Sequence, residues 1–199
     1  MMGLLGQPGR ALWIGVALAA AALGLWLISG PSDTLGLISF IARLVHVGGA
    51  ILWLGMVWFV NFIQLAALRE ADDAGRAALM KLIVPRVARL FRIASHVVVA
   101  SGIVLLLTTG YMLDRWVFPS AVYIPSARGA MLWGGVVAGL AMWALVHAVI
   151  WPSLRIVLDS GAAPGAVALA RERILIGARL NLVLSVPVTL AMVAASHFY

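Results

Sequence analysis

The chain contains four histidines, and each lies in a different long apolar segment: His46, His96, His147 and His197. An ionisable ring inside hydrocarbon is energetically costly, so such residues are functional candidates by default. Imidazole is a common axial ligand of haem iron, and membrane bundles build such sites from side chains on facing helices. The histidines therefore predict haem b as the cofactor, and four rings suffice to ligate two haem irons.

The composition is that of an integral membrane protein. Hydrophobic residues make up 64% of the chain and charged residues 11%, whereas about 25% of a soluble domain is charged. There is no cysteine, which excludes disulfides, iron–sulfur clusters, thiolate zinc sites and a covalently attached c-type haem in these residues. The net charge of +7 comes from basic residues that flank apolar segments, so nucleic-acid binding is not predicted.

Five apolar segments approach the length of about 20 residues that a helix needs to cross a bilayer. They predict an all-α, five-helix transmembrane bundle that forms a single membrane domain over residues 1–199. Short amphipathic pieces precede the third and fifth spans, Pro152 is predicted to end the fourth, and Pro187 to kink the fifth. The predicted spans are residues 11–29, 36–68, 87–113, 129–151 and 178–197.

The basic residues predict the orientation of the bundle. Most of them fall on one side of the membrane, and by the positive-inside rule that side is cytoplasmic, which places the N-terminus inside and the C-terminus outside. Trp116, Tyr123 and Tyr199 are then predicted to mark the outer interface and Trp151 the inner one. The residues assigned to the inner side are Arg10, Arg69, Arg76, Lys81, Arg86, Arg89, Arg92, Arg155, Arg171, Arg173 and Arg179.

This topology gives each histidine a depth. His147 lies about 18 residues, or roughly 27 Å, below the outer start of the fourth span, which is the level of His96. His46 and His197 fall in the outer half, so the set divides into an inner and an outer pair. Haem propionates call for a nearby cation. Arg43, one helical turn from His46, is the outer candidate, and Arg89 or Arg92 is the inner one.

Other interpretations of the histidines stay open. A histidine in a membrane helix often hydrogen-bonds to a neighbouring helix without any cofactor. Imidazole also suits copper and zinc, although neither pair has a carboxylate or thiolate close by in the sequence.

Two polar groups and one glycine pair have similar alternatives. Asn61 and Gln64, together with a stripe on the fifth span, either line a small-molecule or quinone pocket or tie helices together. Gly135 and Gly139 form a G-x-x-x-G pair that serves helix packing within the chain or an oligomer. The stripe consists of Asn181, Ser185, Thr189, Met192 and Ser196.

Several stretches resemble one known family. The run from His46 to Gln64, with the core HVGGAILWLG, is similar to the opening of the membrane domain of bacterial urate hydroxylases, also described as the urate oxidase N-terminal domain. Residues 84–86 with 91–92, and 179–187 with 192 and 196–198, resemble the same family. The likeness covers most of the chain from about Gly36 onward.

The resemblance implies a multi-pass protein of the bacterial inner membrane. Full-length members of that family carry a C-terminal cytochrome c domain, oxidise urate and pass the electrons to that cytochrome. This chain has no C-x-x-C-H motif, so a c-type haem is expected on a separate partner polypeptide.

Three functions follow as hypotheses. The first is a di-haem, bis-histidine membrane cytochrome b that passes electrons between a small reductant or quinol and an external c-type cytochrome. The second is urate oxidation coupled to a separate cytochrome c, which would make the chain an oxidoreductase. The third is an accessory scaffold subunit of a larger membrane redox complex.

Overall fold

The part of the chain that the structure describes is all-helical. This computed structural model describes residues 7–30, 33–109 and 127–197. All five helices are long and apolar enough to cross a membrane, which confirms the predicted all-α class and the number of spans. The helices are α1 (Pro8–Ser29), α2 (Thr34–Glu70), α3 (Asp73–Thr108), α4 (Ala127–Leu158) and α5 (Pro164–His197).

Local sequence explains where the helices begin. Asp33 precedes α2, and its carboxylate accepts hydrogen bonds from the backbone N–H groups of Leu35 (3.2 Å) and Gly36 (2.9 Å). Asp72 precedes α3 and accepts one from Gly75 N–H at 2.8 Å. Such side chains satisfy N–H groups that have no partner within the helix. These caps separate two long apolar helices from the segments before them.

The α3 helix is longer than the predicted third span. It comprises Asp73–Leu82 and Val84–Thr108, joined at Ile83. Pro85 lies in the first turn of the second segment, where its missing N–H would have no helical partner. The amphipathic piece therefore leads directly into the membrane helix. The fifth span is extended in the same way, because α5 begins at Pro164.

Two helices contain a turn of π-helix. Val60–Gln64 is π-helical within α2, and Leu145–Ile150 within α4. The prediction that Pro152 ends the fourth helix is wrong, because the chain continues helically over Trp151–Leu158. The preceding π-turn changes the carbonyl register just where a proline ring would clash with the turn before it. Such π-turns occur frequently at functional sites.

Contacts divide the chain into two compact units, Met1–Ile38 and Ser39–Tyr199. Within the described part of the second unit, apolar side chains from α2, α3, α4 and α5 form one core. These side chains belong to Trp53, Met56, Val57, Phe91, Ala94, Val98, Met142, Val146 and Val188. The core therefore joins four helices, and three of them carry the histidines His46, His96 and His147.

One glycine of the G-x-x-x-G pair packs within the chain. A Cβ atom on Gly135 would lie 3.1 Å from Ala191 Cβ and 3.0 Å from Met192 Cε, whereas one on Gly139 or Gly134 would meet nothing within 4 Å. Gly135 thus permits the close approach of α4 and α5.

Some predicted features lie outside the described residues. They are the end of the third span near residue 113 and the interfacial aromatics Trp116, Tyr123 and Tyr199.

We expect Gly135→Leu to destabilise the protein by about 1–3 kcal/mol, because the new side chain must displace α5. The neighbouring substitution Gly134→Leu makes the same chemical change in open space and serves as the control. Thermal unfolding in detergent measures both. Equal melting temperatures for the two variants would contradict the close α4–α5 packing.

Candidate functional site

His96 on α3 and His147 on α4 lie together, as their predicted depths require. Their rings stack with centroids 4.1 Å apart and planes inclined by 27°. Trp143, one turn before His147, packs at 4.8 Å from the His147 ring and 5.8 Å from the His96 ring. His96 is exposed and His147 half-buried. The three rings form an aromatic cluster between the two helices.

Hydrogen bonding identifies the free nitrogen of His147. Ser95 Oγ donates its one hydrogen to the Arg92 carbonyl at 2.8 Å and also lies 3.1 Å from His147 Nε2. A hydroxyl has a single hydrogen; with that hydrogen on the Arg92 carbonyl, the serine oxygen is left to accept from Nε2–H in the tautomer of His147 that carries its proton there. The lone pair of a neutral His147 is then on Nδ1. Metal-ligating histidines usually have one N–H held by a neighbour and the other nitrogen free in this way.

In His96 the lone pair, rather than the N–H group, has the hydrogen-bond partner. The Trp143 indole Nε1–H donates to His96 Nδ1 at 3.2 Å. Because indole is only a donor, Nδ1 of His96 carries the lone pair and a neutral ring carries its proton on Nε2. The nitrogen that would bind a metal is therefore already occupied by a hydrogen bond.

The stacked rings do not leave room for an iron between them. A metal–imidazole bond is about 2 Å long, so rings on opposite faces of one iron have centroids roughly 6 Å apart. The observed separation is 4.1 Å. The hydrogen bonding of His147 is compatible with a role as an iron ligand. His96 and His147 could ligate one iron together only if the His96 ring turned away from His147 and gave up its hydrogen bond with Trp143.

His46 on α2 packs against α3. Its Nδ1 lies 2.9 Å from the carbonyl oxygen of Val98, and since a carbonyl only accepts, Nδ1–H donates and Nε2 is free. A Cβ on Gly102 would lie 3.0 Å from His46 Cε1, so this ring position depends on a glycine. A backbone carbonyl that orients the ring in this way is typical of metal-ligating histidines.

The predicted outer pair is not in contact. His197, near the exposed end of α5, has Nδ1 2.7 Å from Ser196 Oγ and 3.3 Å from the Val193 carbonyl. Its polar contacts are thus on its own helix, whereas those of His46 are on α3. Arg43 is exposed, one turn from His46. A ligand role for His46 and His197, and a propionate role for Arg43, stay predictions.

Arg92 is held against an aromatic ring. Its guanidinium carbon lies 3.9 Å from the Trp151 ring centroid, a cation–π contact, and its backbone carbonyl accepts from Ser95. The buried Nε of Arg92 has no hydrogen-bond partner. Arg92 therefore retains a donor for a ligand, which is compatible with its predicted role toward a propionate.

A cavity of about 870 Å³ lies beside this cluster, between α2, α3, α4 and α5. Its walls are mainly apolar, and we call it the polar cavity after the eight polar side chains that also line it: Asn61, Gln64, Arg69, Arg76, Arg92, Arg171, Arg179 and Asn181. Asn181 is 1% exposed, yet neither atom of its amide has a partner, and the same is true of Gln64 Oε1. Asn61 and Gln64 belong to the π-turn of α2.

Unlike Asn181, Asn61 has hydrogen-bond partners for both atoms of its amide. Its Nδ2 donates to the carbonyls of Val57 (2.8 Å) and Ala178 (3.1 Å), and its Oδ1 accepts from Arg179 Nη1 at 3.1 Å. Asn61 thus ties α2 to α5. Of the two interpretations given for the polar residues, helix linking applies to Asn61. Asn181 instead lines the cavity with an unpaired amide, as the pocket interpretation predicts.

Comparison with known proteins gives no further assignment. No family model, curated protein or solved structure matches the chain. The resemblance to urate hydroxylases therefore stays a prediction. Within residues 7–30, 33–109 and 127–197, no three His, Cys, Asp or Glu side chains are grouped so as to hold a metal ion.

Sequence reasoning missed two contributors to the site. Trp143 lies four residues before His147, so helical spacing alone places both on one face. Arg179 was assigned only to topology, although it donates to Asn61. No sequence signal identifies the Val98 carbonyl as the partner of His46.

The two buried asparagines predict opposite effects on stability. We expect Asn61→Leu to lower the free energy of unfolding by roughly 1–2 kcal/mol, because interhelical hydrogen bonds are lost. Asn181→Leu removes an amide that has no partner, and it should leave stability equal or higher. Unfolding in detergent measures both. A larger loss for Asn181→Leu than for Asn61→Leu would contradict these hydrogen-bond assignments.

Proposed function

We propose that the chain is a membrane cytochrome b that passes electrons between a quinol-type reductant and a c-type cytochrome. In this proposal the N-terminus lies on the cytoplasmic side and the c-type cytochrome on the other. The observation that carries it is the hydrogen bonding of the histidines, because His46 and His147 each have one N–H held by a neighbouring oxygen and the other nitrogen free.

The two rings lie on different helices, and both are held by oxygens of α3. His46 is held by a backbone carbonyl of α3, and His147 lies in the π-turn of α4. His197 has the same local pattern, since Ser196 Oγ donates to the Met192 carbonyl and is left to accept from His197 Nδ1–H. Three of the four histidines therefore hold a free lone pair on a fixed ring, which is the arrangement that iron ligation requires.

The other residues have defined tasks in this proposal. A bound haem would supply one-electron transfer, whose potential depends on axial ligands and on burial. Ser95 fixes the tautomer of His147, and Gly102 leaves space for the His46 ring. Arg92 brings a cation to the cluster while Trp151 covers its guanidinium. Trp143 holds His96 away from ligation.

The optical spectrum of the purified protein tests the proposal. We expect a b-type α-band in the dithionite-minus-oxidised difference spectrum, and loss of about half of it in His147→Ala if two haems bind separately. Leu145→Ala, in the same π-turn, should retain the full band. A wild-type protein that lacks the band after expression with added haem would contradict the proposal.

A second candidate function is urate oxidation. The observation that favours it is the set of unpaired amide atoms in the polar cavity, since a purine ring offers both donors and acceptors along its edges. Membranes containing the protein should then reduce added cytochrome c at a rate that depends on urate. A rate equal to that of membranes without the protein would rule this function out.

A further inference from the structure

The polar cavity contains unpaired hydrogen-bonding atoms of both kinds. Asn181 Nδ2 and Arg92 Nε are donors without a partner, and Asn181 Oδ1 and Gln64 Oε1 are acceptors without one. An unpaired polar group in such surroundings costs about 1–3 kcal/mol. Four such atoms on three side chains of one cavity indicate a ligand that both donates and accepts.

The walls of the same cavity indicate that this ligand is partly apolar. Leu175, Ile176, Leu180 and Val183 of α5 line it, and all four are exposed, Val183 at 67% and Ile176 at 51%. On a helix that crosses the membrane these side chains face lipid. The cavity therefore adjoins the hydrocarbon, and a tail that leaves it there would stay in apolar surroundings.

Hydrogen-bond chemistry narrows the class of ligand. A quinol has two hydroxyl groups, each with one hydrogen to donate and lone pairs to accept, so it can satisfy two donors and two acceptors at once. The oxidised quinone and the phosphate of a lipid supply only acceptors, which would leave Gln64 Oε1 and Asn181 Oδ1 unpaired. Urate is polar on every edge, so it has no apolar part to place against the apolar wall of α5.

The cavity is also connected to the histidine cluster. Arg92 lines it, and the Arg92 carbonyl accepts from Ser95, whose oxygen in turn accepts from His147 Nε2–H. Val146, next to His147, lines it as well. A ligand at Arg92 is thus linked to His147, a candidate redox ligand, through Arg92 and Ser95.

We infer that the polar cavity is the binding site of a membrane quinol, with the ring hydroxyls at Asn181, Gln64 and Arg92 and the tail along the lipid-facing wall of α5. This deepens the proposed function by giving the reductant a site, and its redox role rests on that function. Binding itself does not require haem, so the two ideas fail independently.

The test is a binding titration of the detergent-solubilised protein with a benzoquinol that carries a decyl tail, followed by quenching of tryptophan fluorescence. Trp151 lines the cavity and serves as a local reporter. We expect the quinol to bind about tenfold more tightly than the same compound in its quinone form, because only the quinol pairs the two acceptor oxygens.

Substitutions then assign the site. Asn181→Leu and Gln64→Leu should each weaken quinol binding about tenfold or more, and Asn181→Leu should do so without loss of thermal stability. Thr189→Val, on the same helix but outside the cavity lining, is the matched control and should bind like the wild type. The quinone form should respond less to Gln64→Leu, because it has no hydrogen to give to that oxygen.

Several results would overturn the inference. These are equal affinity for quinol and quinone, quinol binding that neither Asn181→Leu nor Gln64→Leu weakens, or binding of urate or an anionic phospholipid that both substitutions abolish. Quinol binding in a protein without a b-type α-band would support the site and remove the cytochrome proposal. An α-band without quinol binding would do the reverse.

Discussion

Hydrocarbon offers no hydrogen bonds, and the remaining features of this protein depend on that constraint. Five long helices satisfy their own backbone groups, so the polar side chains among them must find partners in the bundle. Most do so locally or on a neighbouring helix: Ser95 and Ser101 donate to carbonyls of α3, and Asn61 bridges α2 and α5. Among the described residues, four of the five buried side-chain atoms without a partner lie in the polar cavity, and the fifth is Trp53 Nε1.

The irregular parts of the helices coincide with candidate functional residues. One π-turn contains Asn61 and Gln64, and the other contains His147. A π-turn rotates the side chains that follow it relative to a regular α-helix. The second π-turn also allows α4 to continue through Pro152. The same local distortion therefore lengthens the helix and presents His147 to α3.

The histidines show how far sequence periodicity reaches. Depth counted along two apolar spans correctly brought His96 and His147 to one level, because helical rise is constant at 1.5 Å per residue. It could not predict that the rings stack or that Trp143 occupies His96, since both depend on helix rotation and on side-chain rotamers. The sequence could not predict the contact of His46 with the Val98 carbonyl either, because it joins residues 52 positions apart.

The sequence by itself determined the all-helical class of the protein, the number of helices long and apolar enough to span a membrane, and the common level of His96 and His147. These properties can be predicted because hydrophobicity and helical rise depend only on residues that are close together in the sequence. Tertiary structure alone decided which polar groups are paired. Asn61 and Asn181 look alike in the sequence, yet one links two helices and the other is left with an unpaired amide in a cavity. That difference arises from how four helices pack, and it is what gives the protein a candidate binding site.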